Sequence, residues 1–271
     1  RSGEGCGHGM LLDRPELSRP VSIGPGIMGS GTDSPPLIHG IRQAREGGGT
    51  AIWCHQSRGF EDVPNWLLGM LDAQNIFDGT QSRNYETAFY PLLNIGLQAP
   101  FSTGTDWFIY DFSRVYVEMT EALTPTAWLA ALARGRSFIT NGPLLTFTAD
   151  GRRPGDTVEL KSEASLPVAA RAVARQDFVR LELVHNGEVV HSVGSRQVGG
   201  RYEAQLDVKL TVAEPGWVAV RTDGQATNEL GGELFSHTSA IYFVFQGQRI
   251  FRLEAAGVLL QDMEESLENV I

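Results

Sequence analysis

The chain has 271 residues, a net charge of -10 and 42% hydrophobic residues, which suits one large or two ordinary globular domains. The negative charge and the lack of a Lys/Arg cluster argue against a nucleic-acid partner, because phosphate binding needs a basic face. No apolar run approaches the ~20 residues of a membrane span, and two cysteines, Cys6 and Cys54, cannot form a disulfide framework.

Helix and strand patterns alternate in the first half of the chain. The apolar spacing and the flanking glycines and prolines predict, in order, a helix at 35–46, a strand at 50–55, a helix at 65–71, a strand at 75–77, one helix or two helical pieces at 84–96, and a strand at 101–106. This repetition is typical of an α/β fold, in which ligands bind where the strands end.

The pattern changes after residue 143. A strand at 114–118 and a helix opened by Thr124-Pro125 complete the first part. From 144 onward, about seven short strands separated by turns predict an immunoglobulin-like β-sandwich, with Asn186-Gly187 as a hairpin turn. The tail returns to helical spacing. The predicted domains are therefore 1–143, 144–250 and a C-terminal helix at 251–271.

Two predicted strands of the first half end in a polar residue, His55 and Asp106, and a glycine-rich segment carries Glu4 and His8. A polar group buried at a strand end needs a partner, and one suitable partner is a divalent metal. Imidazole and carboxylate together suit zinc, manganese or iron. On the pattern alone, a hydrogen-bonded structural role for each histidine is the alternative.

The order of these segments resembles the PHP-type metallohydrolases (polymerase and histidinol phosphatase superfamily), and within them the carbaryl-hydrolase-like CehA/McbA branch. The resemblance runs from Glu4 and His8 through Trp53-Cys54-His55, YPLLNIG, STGTD and FSRVYVEM, and is most specific in ARGRSFITNGPLL followed by PGD. It implies that 1–143 is the C-terminal portion of a distorted, TIM-like (β/α)7 barrel.

The same resemblance implies the site. The metal ligands would be Glu4, His8, His55 and Asp106, with Glu4 as a bridging acid and Glu4, His55 and Asp106 as the catalytic set. The family pattern also leaves room for Asn141 near the site, as a substrate-binding candidate. Arg114 and Arg136 are candidates for orienting an anionic group, because a guanidinium binds carboxylate or phosphate bidentately, with a structural salt bridge as the alternative role. Relatives also carry a His-x-His pair on an earlier strand, and nothing before Glu4 supplies it. We therefore expect an N-terminal segment or a separate chain to provide that pair.

The sequence thus predicts a hydrolase that uses zinc, manganese or iron to activate water against an ester, amide, carbamate or phosphoester bond of a small molecule. The alternative is a non-catalytic binding or structural protein with a decayed metal site. Homo-oligomer formation and the cell compartment are left open. For His237, near the last predicted strand, we expect a structural hydrogen-bonding role.

Overall fold

A computed structural model describes residues 8–18, 36–54, 61–76, 85–105, 113–222 and 225–268. Three of the predicted site residues, Glu4, His55 and Asp106, lie outside these ranges. In chain order, the described elements are β1 (His8–Leu12), α1 (Leu37–Glu46), β2 (Thr50–Cys54), α2 (Asp62–Leu67), β3 (Ala73–Asn75), α3 (Tyr85–Ala88), α4 (Tyr90–Asn94), β4 (Phe101–Ser102), β5 (Arg114–Val117), α5 (Pro125–Ala133), β6 (Ser137–Thr140), β7 (Leu144–Ala149), β8 (Thr157–Leu160), β9 (Ala164–Ala174), β10 (Arg180–His185), β11 (Glu188–Gly194), β12 (Arg196–Val198), β13 (Arg201–Val212), β14 (Gly216–Thr222), β15 (Ser236–Thr238), β16 (Ile241–Phe245) and α6 (Leu253–Glu268).

Several local signals of the sequence produce the elements that they predict. The Thr124 hydroxyl accepts a hydrogen bond from the Ala127 amide at 3.1 Å and caps α5, which begins at Pro125. Asn186 and Gly187 both have positive φ angles, 54° and 99°, and connect the antiparallel strands β10 and β11. Both predictions are confirmed, because each depends only on residues that are close in sequence.

The first sheet has four strands in the order β1-β2-β3-β4. The strands β2, β3 and β4 are parallel, whereas β1 runs antiparallel to β2. One face of this sheet packs on the main core beneath α2, and the other face contacts α5 through Leu132, a fully buried side chain that packs against Ile52 and Ala73. The three parallel strands therefore end at a common edge of the sheet.

Two further sheets contain the rest of the strands. The eight-stranded sheet follows the order β11-β10-β14-β15-β6-β5, with β16 paired to β14 and β8 paired to β16. The second four-stranded sheet has the order β12-β13-β9-β7. Apolar side chains of both sheets meet in one core, for example Phe147 and Leu206 from one sheet with Leu183 and Val220 from the other. These two sheets thus form opposing layers.

Hydrogen bonds join the first sheet to the eight-stranded sheet at β4. The Phe101 amide donates to the Ser239 hydroxyl at 3.0 Å, and the Ser137 hydroxyl donates to the Phe101 carbonyl at 2.9 Å. The main core is continuous across this junction, since it includes Phe89 near α4 and Trp217 of β14. The predicted boundary at residue 143 falls between β6 and β7, and the division into domains stays a prediction.

The predicted (β/α)7 arrangement and its description as a TIM-like barrel are wrong. The described part of the chain is mainly β, with three sheets and no closed barrel. The physical reason lies in the first sheet, where only three strands are parallel and β1 reverses direction. Helix α5 also covers the face of the first sheet opposite α2, with Leu132 against Ile52 and Ala73, so helices pack on both faces of this sheet. None of the described helices is long and apolar enough to cross a membrane.

Candidate functional site

Four polar side chains form a line across the first sheet at the edge where β2, β3 and β4 end. His8 of β1 is the register partner of Cys54 in β2, and Asn75 of β3 is the register partner of Ser102 in β4. The register of β2 with β3 pairs Trp53 with Gln74, so the next position along pairs Cys54 with Asn75. We call His8, Cys54, Asn75 and Ser102 the polar row.

Side-chain alternation places the polar row on the α5 side of the sheet. Trp53 belongs to the main core, and Gln74 accepts a hydrogen bond from Trp66 of α2 at 2.9 Å, so both side chains point toward α2. Ile52 and Ala73 point the other way, toward Leu132 of α5. Because successive residues of a strand face opposite sides, the polar row shares the face of Ile52 and Ala73.

Three members of the polar row are almost completely buried, and one of them has an unsatisfied polar atom. The exposed fractions are 4% for Cys54, 5% for Asn75 and 3% for Ser102. The side-chain oxygen of Asn75 has no hydrogen-bond partner among the described residues. Leaving a buried acceptor unpaired costs about 1–3 kcal/mol, so such an atom calls for an explanation such as a bound ligand or ion.

The four predicted metal ligands are close in sequence to members of the polar row. His8 is the only one of the four that the structure describes, and it belongs to the polar row. His55 follows Cys54 directly and Asp106 follows Thr105, while Glu4 precedes His8 by four positions. Within the described ranges, no group of three or more His, Cys, Asp or Glu side chains could hold a metal ion. The described residues alone therefore do not make the metal-binding site that the sequence predicts.

The donor types present still fit a partial metal site. The polar row offers an imidazole nitrogen and a sulfur, which are ligand atoms of zinc and iron sites in proteins, together with an amide oxygen and a hydroxyl oxygen. Neighbouring strands are ~4.8 Å apart, so adjacent members can share one ligand, whereas His8 and Ser102 are separated by roughly 14 Å and cannot. A complete set would need residues beyond the polar row.

The two residues predicted to bind substrate lie on the eight-stranded sheet and just after it. Arg114 is exposed at the beginning of β5 and donates to the Ser113 carbonyl at 2.8 Å. Asn141, after β6, donates to the Glu233 carbonyl at 2.6 Å and accepts from the Phe235 amide at 2.7 Å. These contacts give Asn141 a clear structural task, which is to hold the segment that leads into β15.

The most specific stretch of the family resemblance also has a structural role. Arg136 pairs with Asp156 at 2.6 Å and donates to the Pro154 carbonyl at 2.8 Å. Burial by itself would raise the pKa of Asp156. The hydrogen bonds that its carboxylate accepts from the Arg136 side chain and the Arg153 amide outweigh burial, so the pKa of Asp156 is lowered. Arg136 therefore fastens the loop that contains Pro154 and Asp156 to the end of α5.

A second polar cluster is buried where α3 and α4 meet the eight-stranded sheet. The Tyr90 hydroxyl lies 2.9 Å from Nε2 of His237, and Nδ1 of His237 donates to the Thr238 carbonyl at 2.7 Å. Arg221 donates to Tyr90 at 3.2 Å and to Glu182 at 2.8 Å. Burial lowers the pKa of His237 to about 3, so the imidazole is neutral and its Nε2 accepts a hydrogen bond from the Tyr90 hydroxyl.

The His237 cluster supports the strand that leads to the candidate site. The His237 ring lies 4.6 Å from the Phe101 ring and 4.5 Å from the Tyr85 ring. It is fully buried, and the expected structural role for His237 agrees with these contacts.

The sequence does not by itself identify Cys54, Asn75 and Ser102 as members of one site. The signal that could have suggested Asn75 is its position as the polar last residue of β3, between the two strands that precede His55 and Asp106. The register that aligns the three side chains is not visible in the sequence.

No protein-family model matches the chain, and no curated protein matches it at a significant level.

Proposed function

We propose that the protein is a divalent-metal-dependent hydrolase whose site lies at the edge of the first sheet that carries the polar row. The observation that carries this proposal is the alignment of His8 with Asn75 at the edge where three parallel strands end. Asn75 is almost fully buried, and its side-chain oxygen has no hydrogen-bond partner in the part of the chain that the structure describes. The resemblance to the PHP-type CehA/McbA branch supports the same site from the sequence.

Chain connectivity brings the other proposed ligands within reach of this edge. An extended chain covers at most ~3.6 Å per residue. His55 is one residue beyond Cys54, and Asp106 is four residues beyond Ser102, so each side chain can reach the polar row. Glu4 is four residues before His8 and has a similar reach. We propose zinc, manganese or iron held by Glu4, His8, His55 and Asp106.

The bound metal would supply Lewis-acid polarisation of the scissile carbonyl or phosphoryl group and activate water for its hydrolysis. The protein would orient the substrate and provide a partly apolar environment. The Asn75 oxygen can accept a hydrogen bond from a substrate N–H or O–H group and so orient it. The buried apolar side chains of Ile52, Ala73 and Leu132 lie on the same face of the first sheet as the polar row. They exclude water, and the low local dielectric strengthens electrostatic interactions beside them.

The proposed substrate is a small molecule with an ester, amide, carbamate or phosphoester bond. Arg114 offers a guanidinium for an anionic part of such a substrate. The complete site further includes a His-x-His pair, which we propose comes from an N-terminal segment or a separate chain. Adding a synthetic peptide or co-expressed segment with that pair should raise metal occupancy, and an unchanged occupancy would remove this part of the proposal.

The test combines metal analysis with hydrolysis assays. Metal-depleted protein is reconstituted with zinc, manganese or iron and assayed on p-nitrophenyl acetate, p-nitrophenyl phosphate and an aryl carbamate. We expect metal binding and turnover, and we expect the variant His8→Ala to reduce the turnover by roughly two orders of magnitude or more. The control is His191→Ala, at an exposed position of β11. Failure to bind any of the metals would overturn the proposal, and metal binding without turnover would favour the non-catalytic alternative.

A further inference from the structure

Within the polar row, one adjacent pair carries two strong metal donors. His8 and Cys54 are register partners on neighbouring antiparallel strands, and side chains at such positions have Cβ atoms about 4.5–5.5 Å apart. The two side chains share one face, as the alternation of Trp53 and Ile52 on β2 requires. An imidazole and a sulfur at this spacing can bind the same ion, because Zn–N and Zn–S bonds are about 2.0 and 2.3 Å long.

We propose that Cys54 is a sulfur ligand of the metal, so that the site selects zinc over manganese. This inference rests on the proposed function and deepens it. Thiolate ligands favour zinc, whereas sites made only of carboxylates and water suit manganese and magnesium. The sequence alone suggests that Cys54 is a small buried apolar residue, and its exposed fraction of 4% suits that role as well.

An independent observation on the next strand points to a ligand at this position. Asn75, the neighbour of Cys54 on the side away from His8, is 5% exposed and has an oxygen without a hydrogen-bond partner in the described structure. It faces the same side of the sheet as Cys54, because both follow residues that point toward α2. A bound ion with its polar ligands would satisfy the Asn75 oxygen beside the buried sulfur of Cys54.

The chain also offers its own control. Cys6 lies two residues before His8 and is the other cysteine of the chain. Cys6→Ser and Cys54→Ser each leave a single cysteine, so they assign any sulfur signal to one residue. Serine is close to cysteine in size, and Cys54→Ala serves as a second variant if the serine variant does not fold.

The experiment is a cobalt(II) titration of the metal-depleted full chain, followed by near-ultraviolet absorption, with zinc and manganese affinities measured in parallel. Wild type and Cys6→Ser should develop the intense sulfur-to-cobalt charge-transfer band, and Cys54→Ser should not. Cys54→Ser should also lose roughly tenfold or more in zinc affinity, with a smaller change for manganese. Metal binding without the band in wild type, or loss of the band in Cys6→Ser alone, would overturn the inference and leave the hydrolase proposal standing. No metal binding at all would overturn both.

Discussion

Acid should destabilise this protein through His237. The imidazole is fully buried and its pKa is lowered from 6.5 to about 3, mainly by burial and further by the charge of Arg221. The native state therefore keeps His237 neutral where the unfolded chain binds a proton. This group contributes its full stability above about pH 6.5 and loses it as the pH falls toward 3, because the unfolded state then binds more protons. The loss approaches about 1.4 kcal/mol per pH unit, or about 2 kcal/mol between pH 6.5 and about pH 4.5.

Urea unfolding at a series of pH values tests this account. The variant His237→Gln removes the titrating ring, so its free energy of unfolding should fall by about 2 kcal/mol less than wild type over the same pH range. His191→Gln, an exposed histidine substitution on β11, is the matched control and should follow the wild-type curve. Comparing the two slopes cancels the titration of carboxylates that all three proteins share. Parallel curves for wild type and His237→Gln would refute the reasoning.

Three further substitutions test the packing around the candidate site by urea unfolding. Leu132→Ala should lower the free energy of unfolding by about 2–5 kcal/mol, because it opens a cavity between α5 and the first sheet; a change within about 0.5 kcal/mol would mean that α5 does not pack there. Arg136→Ala should lower the free energy of unfolding by about 1.5–3 kcal/mol, because it removes a charged hydrogen bond to Asp156. The control Arg134→Ala, at an exposed position, should change it by about 0.5 kcal/mol or less. Equal effects of the two substitutions would contradict the pairing of Arg136 with Asp156. Thr124→Ala should cost about 1 kcal/mol by removing the cap of α5, and Thr124→Ser should restore most of it.

The sequence by itself determined many elements of this protein and where they begin. Thr124-Pro125 begins α5, and Asn186-Gly187 makes the turn between β10 and β11. The possible break at Pro91 corresponds to the separate helices α3 and α4. These features depend on capping, turn conformation and side-chain spacing, all of which act over a few neighbouring residues.

Only the tertiary structure decided how those elements pair. Alternation of helices and strands indicated an α/β fold, and the family resemblance implied a (β/α)7 barrel, but β1 runs antiparallel to β2 and α5 covers one face of the sheet. Similarly, β6 pairs with β15, almost a hundred positions later in the chain. Strand direction and partner choice depend on contacts between residues far apart in sequence, which the local pattern does not encode.

The candidate site shows the same division. The sequence indicated polar residues at strand ends, and the family resemblance implied His8 as one of four metal ligands. The structure aligns Cys54, Asn75 and Ser102 with His8. Each of these three residues is unremarkable by itself in the sequence. They lie in one row only because the register of four strands aligns them on one face. This register is fixed by burial of Ile52 and Ala73 on that face and of Trp53 on the other. A shift of one residue would turn every one of these side chains to the opposite side.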